Sequence, residues 1–234
     1  NWRYSLRLMY LMGIISLLLI WFDQKETLNK NETARSKLSN DYKELFLNRN
    51  FWFYVIVMGF SVGSYFSFLT GAPVISAEYF ELAPSVQGYL FAILGLGFLL
   101  GNFLTGRFAM KIGLNRLMLW GCFIALIGPL LQCFIYLNFI FGPLSFFAPM
   151  FLVGLGQGLI VPNAAAGIVS VNPRLAGSAS GLGATIQVTI GGILAYITGY
   201  IISIFVTPLP LLFILFLTIV VTLFFSYKLH RNIS

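Results

Sequence analysis

Charge is what this sequence has least of: Lys, Arg, Asp and Glu make up 9% of its 234 residues, against roughly a quarter in an ordinary soluble domain. That scarcity excludes a water-facing globule. With 59% hydrophobic residues and a mean hydropathy of +0.89, the chain reads as a membrane protein. Cysteine is nearly absent, and Cys122 and Cys133 share one apolar segment. They fit the role of small buried hydrophobes, so neither a disulfide nor a metal site is inferred. The single histidine, His230, stands in the C-terminal tail beside Lys228 and Arg231, where a solvated side chain is the plainer reading than a base. No Ser, His and Asp set can be assembled at one membrane depth, so no catalytic residue, and hence no enzyme, is assigned. The glycine-rich segments lack the Gly-Lys-Ser/Thr ending of a phosphate loop, which leaves ATP drive unsupported and no cofactor implied.

What is present instead is length of apolar run. A spanning helix needs about 20 mostly apolar residues, and the segments 4–22, 51–75, 86–106, 117–138, 143–168, 176–202 and 209–227 meet that demand. The runs are too long for strands and lack the period-two alternation of an outer-membrane barrel. The expected fold is all-α, a polytopic bundle of about seven spans. Asn1 stands in place of Met, and the chain enters its first run without a signal-peptide cleavage site. The beginning therefore reads as internal, with an upstream portion missing.

Orientation follows from the connections. Lys25, Lys30, Arg35, Lys37, Lys43 and Arg49 lie in the segment 23–50, and the later alternate connections hold Arg107, Lys111 and Arg116, then Arg174, then Lys228 and Arg231. The opposite face has only Arg3 and Arg7, while Glu78 and Glu81 occupy one of its loops. Basic residues concentrate on the cytoplasmic side, so the long loop and the C-terminus are expected there, with the N-terminal end outside. The same spread explains the net charge of +7 without nucleic acid, because no separate basic domain remains to bind a phosphate backbone. The triplets Asn31-Glu32-Thr33 and Asn232-Ile233-Ser234 fall on that cytoplasmic face and read as chance matches to a glycosylation signal.

In SNDYKELFLNRNFW, Ser39 or Asn40 could cap a short helix with Tyr42, Leu45 and Phe46 on its apolar edge. It is expected along the membrane surface, as a connector. One helix, a long linker and six helices with short loops suggest a repeat unit.

The seam GNFLTGRFAMKIGLNR, residues 101–116, resembles the cytoplasmic loop motif of the major facilitator superfamily through Gly101, Arg107, Lys111, Gly113 and Arg116. The opening NWRYSLRLMYLMGIISLLLIWFDQKETL is similar to the sixth helix of its drug efflux members. FSFLTGAPVI and NPRLAGSASGLGATIQ resemble the end of helix seven and the start of helix eleven in the Bcr/CflA, or bicyclomycin-resistance, branch of proton-driven multidrug antiporters. The resemblance covers essentially the whole chain. It implies three parts: 1–22, the last helix of the N-terminal half; 23–50, a cytoplasmic linker; and 51–234, a six-helix C-terminal half. It further implies a bacterial inner membrane protein that exchanges small hydrophobic drug-like molecules for protons by alternating access, together with an N-terminal half that supplies the proton-binding acid. The loop motif departs from the family where an acid would stand, having Thr105 and Gly106. A steric and topological role is therefore expected of it more than a charged latch.

Several residues mark packing and a binding path. Gly177, Gly181, Ala184, Gly191, Ala195 and Gly199 recur at short helical steps, and Gly97 with Gly101 and Gly154 with Gly158 are four apart. Such stripes let backbones approach closely in lipid. Pro73 and Pro162 each remove a backbone donor, so a freed carbonyl must find another partner, and the helix either kinks or borders a gated path. No ionisable residue lies deep in any of the seven spans, so this chain shows no proton carrier of its own. Uncharged candidates remain: Ser61, Ser64, Tyr65 and Phe68 on one face, Gln87 with Phe91, Gln157 with Asn163, and Ser180 with Gln187. Any one of them can serve as an interhelical hydrogen-bond partner, the commoner role. Together, Ser64, Tyr65, Phe68, Gln87, Phe91, Gln157, Asn163 and Gln187 would line an aromatic cavity suited to bulky, weakly polar molecules. A seven-helix receptor or sensor without transport is the alternative, which the span count permits and the long loop after the first span disfavours.

Overall fold

A computed structural model of the chain describes residues 2–23, 38–138 and 141–233. Residues 24–37, with most of the linker's basic residues and the Asn31 triplet, and Ser234 lie outside them. The described residues contain no strand, as lipid demands: a spanning segment must satisfy its own N–H and C=O groups, and a helix does so internally. The chain divides into two compact units, Asn1–Leu38 and Ser39–Ser234. The first contains α1 (Trp2–Asp23), whose apolar stretch Leu6–Phe22 is shorter than the six candidate spans of the second unit. With six long apolar helices and this shorter one, the protein is a helical transmembrane bundle.

After the residues not described come α2 (Leu38–Leu47), α3 (Arg49–Val74) and a π-helical turn, Ile75–Tyr79. Then come α4 (Pro84–Ile112), α5 (Leu114–Asn138), α6 (Pro143–Phe147), α7 (Met150–Ser170), α8 (Ala176–Ile204) and α9 (Pro208–Ile233). Local chemistry sets the boundaries. The Asn48 side chain caps α3, accepting from the N–H groups of Asn50 at 3.0 Å and Phe51 at 3.2 Å. Pro84 and Pro143 begin helices, where a missing N–H costs nothing. α2 starts at Leu38, so Ser39 and Asn40 lie in its first turn and neither is the cap expected of it. Its Leu45 is buried while Tyr42 and Phe46 are exposed, and Glu44 reaches the α7–α8 connection, accepting from Arg174 at 2.8 Å and from Asn172 at 2.7 Å.

Two boundaries differ from the hydropathy reading. α4 continues through Ile112, so most of the basic seam is helix and the break is Gly113 alone, at φ +92°. Charged side chains lower hydropathy without weakening a helix. At 29 residues α4 is roughly 43 Å long, more than a hydrocarbon core of about 30 Å, which leaves Arg107 and Lys111 room beyond the apolar layer. The expected span 143–168 is interrupted at Ala148 and Pro149, because Pro149 has no N–H to continue the ladder.

The packing is reciprocal. α3 lies against α8 and α9, while α7 lies against α4 and α5; α3 also meets α7, and α5 meets α9. Taking α3–α5 and α7–α9, without the short α6, as two sets of three, the first helix of each set thus packs on the second and third of the other, the arrangement of an internal repeat. α3 and α7 form the centre, with one apolar cluster around Phe51, Val55, Met118 and Ile168 and another around Phe68, Phe146, Met150 and Leu215. Glycines set the approach of α4 to α7. A Cβ on Gly101 would stand 2.9 Å from the Gly158 Cα, and one on Gly97 or Gly154 would strike the facing backbone carbonyl. The α8 stripe behaves differently: Gly191 packs on Phe66 and Gly199 on Thr70, but among the described residues no atom lies within 4 Å of a Cβ built at Gly177 or Gly181.

Candidate functional site

Between the two apolar clusters, at the middle of α3 and of the segment containing α7, sits a polar layer. Ser61 and Ser64 are one turn apart on α3, and both are buried. Gln157 on α7 is 4% exposed. Its Nε2 donates to the Ser61 carbonyl at 3.0 Å and to Ser64 Oγ at 2.7 Å. The Ser64 hydroxyl itself donates to the Ser61 carbonyl at 2.7 Å. Burying a polar group is costly unless it is paired; the α3–α7 crossing pairs the Gln157 and Ser64 side chains, while Ser61 Oγ has no partner among the described residues.

A cavity of about 450 Å³ opens beside that layer. Tyr65, Phe91 and Phe98 give it aromatic walls, with Val62, Leu69, Leu94 and Val161 between them, Gly95 at one side and Gln157 as the polar element. Among the described residues no charged side chain lines it. Behind it lies a ring cluster in which Phe68 stands 5.4 Å from Phe91 and 5.6 Å from Phe146, and Phe91 stands 5.5 Å from Phe147. The volume and the ratio of apolar to polar lining suit a small organic molecule. Another cavity of about 260 Å³, between Pro129, Cys133, Leu212 and Phe216, has no strong hydrogen-bonding side chain to orient a ligand. Among the described residues, no group of three or more His, Cys, Asp or Glu could hold a metal ion.

Of the eight residues singled out in the sequence, the fold gathers five. Tyr65, Phe91 and Gln157 line the cavity, Ser64 holds Gln157, and Phe68 backs Phe91. Gln87 lies one turn before Phe91 and is not on the wall, and half-buried Gln187 on α8 is not on it either. Asn163 belongs to a separate network. Its Nδ2 donates to the Leu159 carbonyl at 2.7 Å and reaches Thr105 Oγ1 at 3.3 Å. Thr105 Oγ1 donates across to the Gly158 carbonyl at 2.9 Å. That carbonyl is the one left without a helical donor by Pro162, four residues on. Thr105 therefore supplies the partner that Pro162 takes away. Sequence reading missed Leu94, Gly95 and Phe98 on the wall, although the helical steps from Phe91 to Phe98 carry the signal.

The loop-motif residues take simpler places. Gly101 is buried at the α4–α7 contact and Gly113 ends α4, its N–H bonded to the Ala109 carbonyl at 2.9 Å. Arg107, Lys111 and Arg116 are exposed. Arg116 and His230 border a shallow cavity of about 300 Å³, where Tyr54 donates to Asn115 Oδ1 at 2.9 Å.

Comparison with known proteins agrees with this architecture. The family model of the Major Facilitator Superfamily matches residues 1–196. The uncharacterized MFS-type transporter YdgK of Bacillus subtilis (strain 168) is 26% identical over 225 residues, covering 94% of this chain and 55% of that protein. A bicyclomycin resistance protein homolog from Haemophilus influenzae is 23% identical over 239 residues, covering 100% of this chain and 59% of that protein. The chain thus spans a little over half the length of these two relatives.

Proposed function

The chain belongs to the Major Facilitator Superfamily, and from that premise we propose that it supplies the substrate-binding second half, with the last helix of the first, of a proton-coupled drug exporter. In this reading 51–234 is the six-helix C-terminal half, 23–50 the cytoplasmic linker and 1–22 the last helix of the N-terminal half. The observation that carries the proposal is the cavity of Tyr65, Phe91, Phe98 and Gln157, which is large, aromatic and uncharged. Such a wall gains free energy from apolar area and ring contacts, not from pairing with a charge, and so suits bulky, weakly polar molecules. The similarity to a bicyclomycin resistance homolog supports a drug-like cargo.

The rest of the machine would come from the N-terminal half. α4 and α8 bury only 22% and 17% of their most apolar stretches within the chain, against 44% to 61% for the other four spans. Those two helices are where a second half would dock. Rocking of one half on the other would expose the cavity to each side of the membrane in turn. The cavity wall has no titratable carboxylate, so the proton would bind to residues outside this chain. Arg107, Lys111, Arg116, Arg174, Lys228 and Arg231 would hold their end of the bundle on the cytoplasmic side of a bacterial inner membrane.

The test is retention of a lipophilic fluorescent dye by cells that express the full-length protein in a drug-sensitive bacterium, with and without a proton uncoupler. Expression should lower dye retention, and the uncoupler should restore it. Retention equal to that of the empty host across several dye classes would refute drug export.

A further inference from the structure

The polar face of the cavity has a defined sense. Gln157 Nε2 lies 3.0 Å from the Ser61 carbonyl, an atom that can only accept. A flipped amide would set two acceptors against each other, so the NH₂ group must face α3. Nε2 donates there, to the Ser61 carbonyl and to Ser64 Oγ. The Ser64 proton is also committed, to the Ser61 carbonyl, so it cannot turn toward Gln157. What remains is Gln157 Oε1, which is not among the buried atoms lacking a partner and belongs to a residue on the cavity wall. That leaves Oε1 as the atom of this wall residue able to accept a hydrogen bond from a bound molecule. Beyond it, the polar side chain on the wall is Tyr65, whose hydroxyl serves as donor or acceptor.

We propose that Gln157 is a specificity-determining residue that selects cargo bearing an N–H or O–H donor, with Ser61 and Ser64 holding its amide in that sense. The inference rests on the reading of this cavity as a cargo site. A donor-bearing aromatic molecule satisfies Oε1 while its rings meet Phe91 and Phe98. An aprotic isostere leaves Oε1 dehydrated and unpaired, and a carboxylate meets an acceptor with no cation on the wall to offset it. Leaving a buried acceptor unpaired typically weakens binding by about tenfold or more.

Three probes of one shape separate these cases: 2-naphthol, a neutral donor; 2-methoxynaphthalene, its aprotic ether; and 2-naphthoate, an anion. Binding to the full-length protein in nanodiscs is measured by equilibrium dialysis, with empty nanodiscs subtracted. The wild type should bind 2-naphthol about tenfold or more tighter than either of the others. Gln157→Leu should weaken 2-naphthol alone and abolish the preference. Equal wild-type affinities for 2-naphthol and 2-methoxynaphthalene overturn the proposal, as does an equal loss for both in Gln157→Leu. Gly95→Trp distinguishes the deeper failure, because a Cβ at Gly95 meets no atom within 4 Å and the added ring enters the cavity. If binding of all three probes survives it, the cavity is not the cargo site and both readings fall. If it abolishes binding that showed no donor preference, only the role of Gln157 falls.

Discussion

The bond from Thr105 to Gly158 gives the sharpest prediction, because its need is created by one residue and met by another on a different helix. Pro162 deprives the Gly158 carbonyl of its helical donor, and the Thr105 hydroxyl supplies a replacement at 2.9 Å. Thr105 is 8% exposed, so in Thr105→Val water has little access to the carbonyl. The isosteric change should cost about 1–3 kcal/mol, the penalty for a buried acceptor left unpaired. In Pro162→Ala the helix supplies its own N–H to Gly158, and Thr105 becomes dispensable. Thr105→Val in that background should then cost about 1 kcal/mol or less. The assay is a double-mutant cycle on the unfolding of the purified full-length protein, and it should show a coupling of about 1 kcal/mol or more. An equal cost of Thr105→Val in both backgrounds would refute the reasoning.

Other outcomes follow from the same kind of geometry. Gly101→Ala should destabilise by about 1–3 kcal/mol, since its Cβ meets backbone that cannot rotate away; Gly106→Ala, five residues along the same helix, where a Cβ meets no described atom within 4 Å, should be neutral or stabilise by up to about 1 kcal/mol. Denaturant midpoints of the two variants check this, and a like-signed shift would contradict it. Asn48→Ala removes the cap of α3 and should cost about 1 kcal/mol by the same measurement. Arg174→Ala should change stability by less than about 1 kcal/mol, because its ion pair with Glu44 leaves the two side chains 68% and 50% exposed; a larger loss would mean that the pair latches α2.

The spans were legible because runs without charge, such as the one between Arg116 and Arg174, have few other solutions in lipid. The end of α4 was not: hydropathy stops at the basic residues, while helix propensity does not, and only Gly113 ends the hydrogen-bond ladder. For the site, helical spacing identified which residues share a face but not which faces meet. Gln157 and Asn163 illustrate the limit. Six residues apart, they point about 120° away from each other on α7, so one addresses α3 and the other α4. Thr105 is the same problem in reverse. In the sequence it stood only where an acid was absent, and its role became visible once the carbonyl freed by Pro162 was seen opposite it.

The most direct test of the central claim, that drug leaves through the cavity of Tyr65, Phe91, Phe98 and Gln157, is the rate of uncoupler-sensitive dye efflux by the full-length protein carrying Gly95→Trp. Gly95 is on the cavity wall and a Cβ built there meets no described atom within 4 Å, so the variant should reach the membrane at the wild-type level and, with the added ring filling the cavity, lose efflux. Efflux at the wild-type rate from a correctly inserted Gly95→Trp protein would contradict the account.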